Sequence, residues 1–215
     1  MSKLFNRLNV SLAAALLTAT FFGLAMIPQG SRLPGHWNIY GVADRFAPRD
    51  QVLIVLPLGA SAMVALLAGI GWLIERKGTA DVSRLVALSL SVTLAVFVAI
   101  QAMTVLVGMG HSVDVPRVTT IVSSLGLIAL GNMLPKSRAR THAWPKSLND
   151  PRRRYHVVKV TGVLMMLGGA VLFVAALTAA SSQWLLALQL GCAVIPAILG
   201  VLYALLAGLS SPQGG

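Results

Sequence analysis

VLIVLPLGASAMVALLAGIGWLI, residues 52–74, carries no charged side chain. A helix crosses the hydrocarbon core of a bilayer with roughly 20 residues at ~1.5 Å each, so this run is long enough to span it. A strand is excluded for such a segment, because lipid offers no partner for its backbone amides. Five further apolar blocks of comparable kind occupy 8–27, 85–109, 118–134, 157–180 and 184–209. The predicted fold class is therefore an all-α membrane protein, residues 1–215 forming a single membrane domain of about six transmembrane helices. Composition agrees: 56% of residues are hydrophobic, 11% are charged, and the mean hydropathy of +0.80 argues against a water-solvated fold. The first block is read as a span rather than a cleaved signal peptide, since it is long and no small-x-small cleavage site follows it. Cys192 is the only cysteine, which excludes an intramolecular disulfide and a cysteine-based metal site.

Charge predicts the orientation. With the N-terminus inside, thirteen lysines and arginines fall on the cytoplasmic side and four (Arg32, Arg45, Arg49 and Arg117) on the other. The positive-inside rule then places both termini in the cytoplasm of a multi-pass protein of the inner or plasma membrane. The net charge of +11 is on this account a topology signal directed at the lipid bilayer, and no direct nucleic-acid binding is expected. Within the spans, Gln101 and Gln189 are expected to bond neighbouring helices. Thr119, Thr120, Ser123 and Ser124 should turn the fourth block toward protein, and Gly168 and Gly169 suit close helix packing.

Two loops contain more than topology requires. The first, PQGSRLPGHWNIYGVADRFAP at 28–48, has prolines and glycines that forbid a continuous helix and aromatic residues suited to an interface. It predicts an ordered extracytoplasmic cap, 28–50, with Asn38 and Asp44 holding turns and Gly41 supplying a positive φ. The second, GNMLPKSRARTHAWPKSLNDPRRRYH at 131–156, predicts a basic cytoplasmic loop, 135–156. There Asn132 is positioned to cap free carbonyls where a helix ends, and 147–151 resembles the start of a helix leading into the fifth span.

The two loops together resemble the SdpI-like immunity family. Pro34, His36, Trp37, Asn38, Gly41 and Asp44 match an outer proline-x-His-aromatic-Asn-x-x-Gly-x-x-Asp pattern. Gly131, Asn132, Pro135, Lys136, Arg140, Thr141, Trp144 and His156 match an inner pattern that opens Gly-Asn-x-x-Pro-Lys. The resemblance implies protection against a secreted, membrane-acting peptide toxin met by the outer loop. It also implies, in some members, a transcriptional repressor held by the inner one. No catalytic residue and no cofactor follow from it.

Two other classes stay open. His36 and Asp44 share the outer side with His111 and Asp114, and imidazoles with carboxylates can hold Zn²⁺, which would permit a membrane enzyme with an extracytoplasmic metal site; the competing and favoured reading is that His36 and Asp44 hydrogen-bond within the cap. Against catalysis, the chain has no HExxH pair and no carboxylate deep in a span. A small structural or transport-like membrane protein is the third class.

Overall fold

The computed structural model of the protein describes residues 6–38, 40–76, 80–136, 151–179 and 184–209. Within them lie six helices: α1 (Arg7–Met26), α2 (Arg49–Arg76), α3 (Ala80–Gly108), α4 (Val115–Met133), α5 (Pro151–Thr178) and α6 (Leu185–Leu209). Each predicted block is one helix, with ends displaced by a few residues. The largest displacement is at α5, which starts at Pro151, since a proline at the first helical position loses no hydrogen bond. The all-α expectation needs one correction. Between α1 and α2 the chain forms two antiparallel strands, β1 (Arg32–Trp37) and β2 (Ala43–Pro48), because prolines that stop a helix are tolerated in edge strands.

Helices α1 to α5 are long and apolar enough to cross a membrane, and α6 contains a shorter apolar stretch, Leu185–Gly200. Their outward surface is apolar too: Phe21, Ile54, Leu58, Leu66, Leu167 and Val174 are all exposed. Water would penalise so much contiguous apolar area, whereas lipid does not.

The helices pack as two groups of three. In the first, α3 is the centre and touches both α1 and α2; in the second, α5 lies between α4 and α6; contacts of α3 with α4 join the groups. Leu16, Ala60, Leu90 and Leu94 form the apolar core of the first group. Polar side chains stitch it further. Ser91 donates to Asn9 Oδ1, and Gln101 Nε2 donates to Thr20 Oγ1 at 2.9 Å and to the Leu53 carbonyl at 3.2 Å. That carbonyl is in need of a donor: Pro57, four residues on, has no N–H to complete the helical ladder. Gln101 Oε1 is fully buried with no partner among the described residues.

The second group is held by approaches of backbone to backbone. A Cβ added to Gly131 would lie 2.5 Å from the Gly162 carbonyl oxygen, and one added to Gly169 would lie 2.8 Å from that of Ser124. The predicted glycine pair thus packs as expected, while Gly131 and Gly162 form a second close approach. Gln189 also bonds across helices, donating to Ser123 Oγ at 2.9 Å and accepting from Thr120 at 3.3 Å.

Candidate functional site

The outer motif folds into the hairpin. Leu33 pairs with Ala47 and Pro34 with Phe46, after which the register slips around His36 and Trp37. Beyond the slip, His36 Nδ1 stands 2.7 Å from Asp44 Oδ1, with both side chains exposed to solvent (59% and 44%). An ionised carboxylate can only accept, so Nδ1 carries the proton and Nε2 of the neutral ring is left as its acceptor. The same hydrogen bond holds the Asp44 carboxyl below the ordinary carboxylate range.

Asn38 makes the turn. Its Oδ1 accepts from the backbone N–H of Tyr40 at 2.9 Å and of Val42 at 3.1 Å, while Gly41 adopts φ +74°. This matches the expectation for Asn38 and Gly41. The Asp44 carboxylate reaches across the hairpin to His36, the hydrogen bond within the cap that competes with the metal reading of this pair. The turn rests on the first turn of α4: a Cβ at Gly41 would fall 2.1 Å from Pro116 Cγ. The other end of the hairpin is seated in the first helix group, where Leu33 joins Ile27, Val52, Leu53 and Val105 in a buried cluster. Between these anchors, Tyr40 (50%), Val42 (59%) and Phe46 (48%) are left exposed.

Two arginines counted at first only as charges have structural partners. Arg49, at the start of α2 and 7% exposed, donates to the carbonyls of Leu24 and Ile27, and so closes the carboxyl end of α1. Arg117, in the first turn of α4, donates to Asp114 at 3.1 Å and to the carbonyl of Ala179 at 2.9 Å, just past α5. Each places a cation where a helix exposes unpaired carbonyls. The sequence signal is an arginine in the first turn of one span beside the end of another, but spacing alone does not identify which helix end it meets.

The four-residue metal cluster is not assembled. Among the described residues no three His, Cys, Asp or Glu side chains gather as a metal site. His36 and Asp44 are engaged with each other, and Asp114 caps α4 by accepting from the Arg117 N–H at 3.1 Å. His111 is exposed in the α3–α4 connection.

At the opposite end of α4, the inner motif is partly described. Asn132 Oδ1 accepts from Lys136 Nζ at 2.9 Å, so its carbonyl holds a lysine, where the amide was expected to cap helix carbonyls. Pro135 packs on α5, its Cδ lying 2.9 Å from where a Cβ of Gly162 would be. His156, exposed, stacks edge-on with Tyr155, and Lys159 lies 6.0 Å from the Tyr155 ring. Arg140, Thr141 and Trp144, and the predicted helix start at 147–150, lie outside the described residues.

Comparisons of the chain with family models, curated proteins and solved structures found no match. The functional argument therefore stands on the residues themselves. What the hairpin offers chemically is an apolar, aromatic contact surface bordered by Arg32, Arg45 and an oriented imidazole.

Proposed function

We propose that the chain is a multi-pass protein of the cell membrane that protects against a membrane-acting peptide, as its resemblance to the SdpI-like family suggests, with the hairpin outside as the peptide's contact. The basic segment opposite, with Asn132, Pro135, Lys136, Arg140, Thr141, Trp144 and His156, would face the cytoplasm and hold a repressor protein there. The observation that carries this reading is the exposure of Tyr40, Val42 and Phe46 on a hairpin whose two ends are anchored. Peptides that attack membranes are amphipathic, and an apolar surface with an adjacent hydrogen-bonding dyad suits their capture before they insert. Orientation rests on the charge bias alone.

Cells lacking the gene and cells expressing it are to be compared for survival against peptides secreted by related cells. Expression should protect, and Tyr40→Ser with Phe46→Ser should remove protection while the protein still accumulates in the membrane. A cysteine at Ser31 should react with an impermeant reagent on intact cells and one at Lys136 should not. Equal survival with and without the chain would overturn the immunity reading, and the reverse labelling pattern would invert the assignment of the two faces.

A further inference from the structure

Both motifs touch α4. Its first turn bears Pro116, on which the hairpin turn sits at Gly41; its last turn bears Gly131 and Asn132 and runs directly into a single 3-10 turn, Leu134–Lys136. Between these ends the helix has little freedom to absorb a displacement. The close approaches of Ser124 to Gly169 and of Gly131 to Gly162 set backbone against backbone, where no rotamer change can make room. Gly126 adds a contact of backbone with side chain, toward α3: a Cβ there would lie 2.6 Å from Val92 Cγ1. Arg117 ties the first turn of α4 to the chain just past α5 through the Ala179 carbonyl. A push on Pro116 is thus carried along α4, with α5 following, instead of being dissipated by side-chain repacking.

We propose that α4 is the transmission element between the two faces: the hairpin turn bears on Pro116, and a change in how the hairpin sits is delivered to Asn132–Lys136 at the other end. This rests on the reading above for what would move the hairpin, and it adds how the movement reaches the basic segment. The element from Val115 to Lys136 is long enough to span the core unaided, so no relay through a second helix is needed.

Two glycines make the test selective. Gly30 and Gly41 both have positive φ, +84° and +74°, so alanine strains the backbone at either. Only at 41 would the new methyl meet Pro116; at 30 nothing lies within 4 Å. The chain carrying Cys192→Ser and Lys136→Cys is purified in lipid nanodiscs, and the initial rate of maleimide coupling at position 136 is measured. Gly41→Ala should change that rate by about fivefold or more, the lower end of ordinary coupling between sites, with Gly30→Ala leaving it unchanged. Adding Pro116→Ala to Gly41→Ala should return the parent rate. If Gly41→Ala does not accumulate, Pro116→Ala alone, which empties the contact, should shift the rate. Equal rates in parent, Gly41→Ala and Pro116→Ala overturn the proposal, and so does an equal change in the two glycine variants. No peptide or partner enters this assay, so its failure would leave the survival result standing, and absent protection would leave the coupling standing.

Discussion

Each helix group contains one helix interrupted by proline, and the freed carbonyl meets different surroundings in the two. In α2, Pro57 leaves the Leu53 carbonyl without its helical donor, and the amide of Gln101 reaches across from α3 to supply one. In α6, Pro196 does the same to Cys192, whose carbonyl instead faces the backbone of Gly168 on α5, 3.2 Å from where a Cβ would stand. One surrounding is a conventional hydrogen bond from a long side chain; the other is a close backbone approach at a glycine, where an added Cβ would be tighter than ordinary contact. A long side chain leaves room for adjustment, and a glycine contact does not. The first group should accordingly be the more forgiving of substitution.

The sharpest break in that comparison is Gly131→Ala. Its methyl would meet the Gly162 carbonyl, which belongs to a helix backbone and cannot rotate away. Overpacking of this kind costs about 1–3 kcal/mol, and a lowered thermal midpoint of the purified protein is the expected result. Gly59→Ala in the first group, 3.5 Å from the Phe97 ring, should leave the midpoint nearly unchanged. Similar midpoints for the two variants would erase the distinction between the groups.

A smaller effect is expected from Gln101→Leu. It removes the donor to Leu53 and to Thr20, but it also removes the unpartnered Oε1, so the net loss should be about 1 kcal/mol, in the range of hydrogen bonds between membrane helices. In a Pro57→Ala background, where the helix supplies its own N–H to Leu53, the same substitution should cost less. A double-mutant cycle on unfolding free energy reads the difference, and strict additivity would show that Gln101 does not serve the broken ladder.

The smallest effect belongs to the hairpin, which is seated on both groups but adds no helix to either. Asp44 is held below the ordinary carboxylate range by His36, so the stability it adds is present above that range and is lost as pH falls through the folded-state value. Protection factors of the β1 and β2 amides, which correct exchange for its intrinsic pH dependence, should therefore fall on acidification below about pH 4, where carboxylates ordinarily titrate, with those of the helices unaffected. Asp44→Asn should show the lower protection already at neutral pH and no further fall. An unaltered pH profile in Asp44→Asn would assign the effect to another group.

The helices were legible because lipid-length apolar runs have few competing interpretations, and the roles of Gln101, Gln189, Thr120 and Ser123 follow from the scarcity of polar partners inside such runs. The hairpin was only half legible. Asn38 and Gly41 announced a turn, but β1, with Pro34 and Gly35 in six residues, lacks the alternating pattern of a strand. Its pairing is enforced by Leu33 entering the bundle, which no local pattern records. The partners of Arg49 and Arg117 were illegible for a related reason: they are carbonyls at the ends of other helices, and carbonyls have no sequence identity. Gly162 carries no signal in the sequence, because a lone glycine in an apolar run becomes informative only beside its counterpart, Gly131.

The break at Pro57 bears on how the chain is built during synthesis. A ribosome delivers α2 before α3, and a solitary α2 in lipid would hold the Leu53 carbonyl without a donor, at a cost of several kcal/mol for a group unsatisfied in hydrocarbon. The Gln101 amide that relieves this arrives only near the end of α3. Entry of α2 and α3 as a pair would avoid that cost, and α1, whose Thr20 shares the same amide, would gain its bond to Gln101 at the same step.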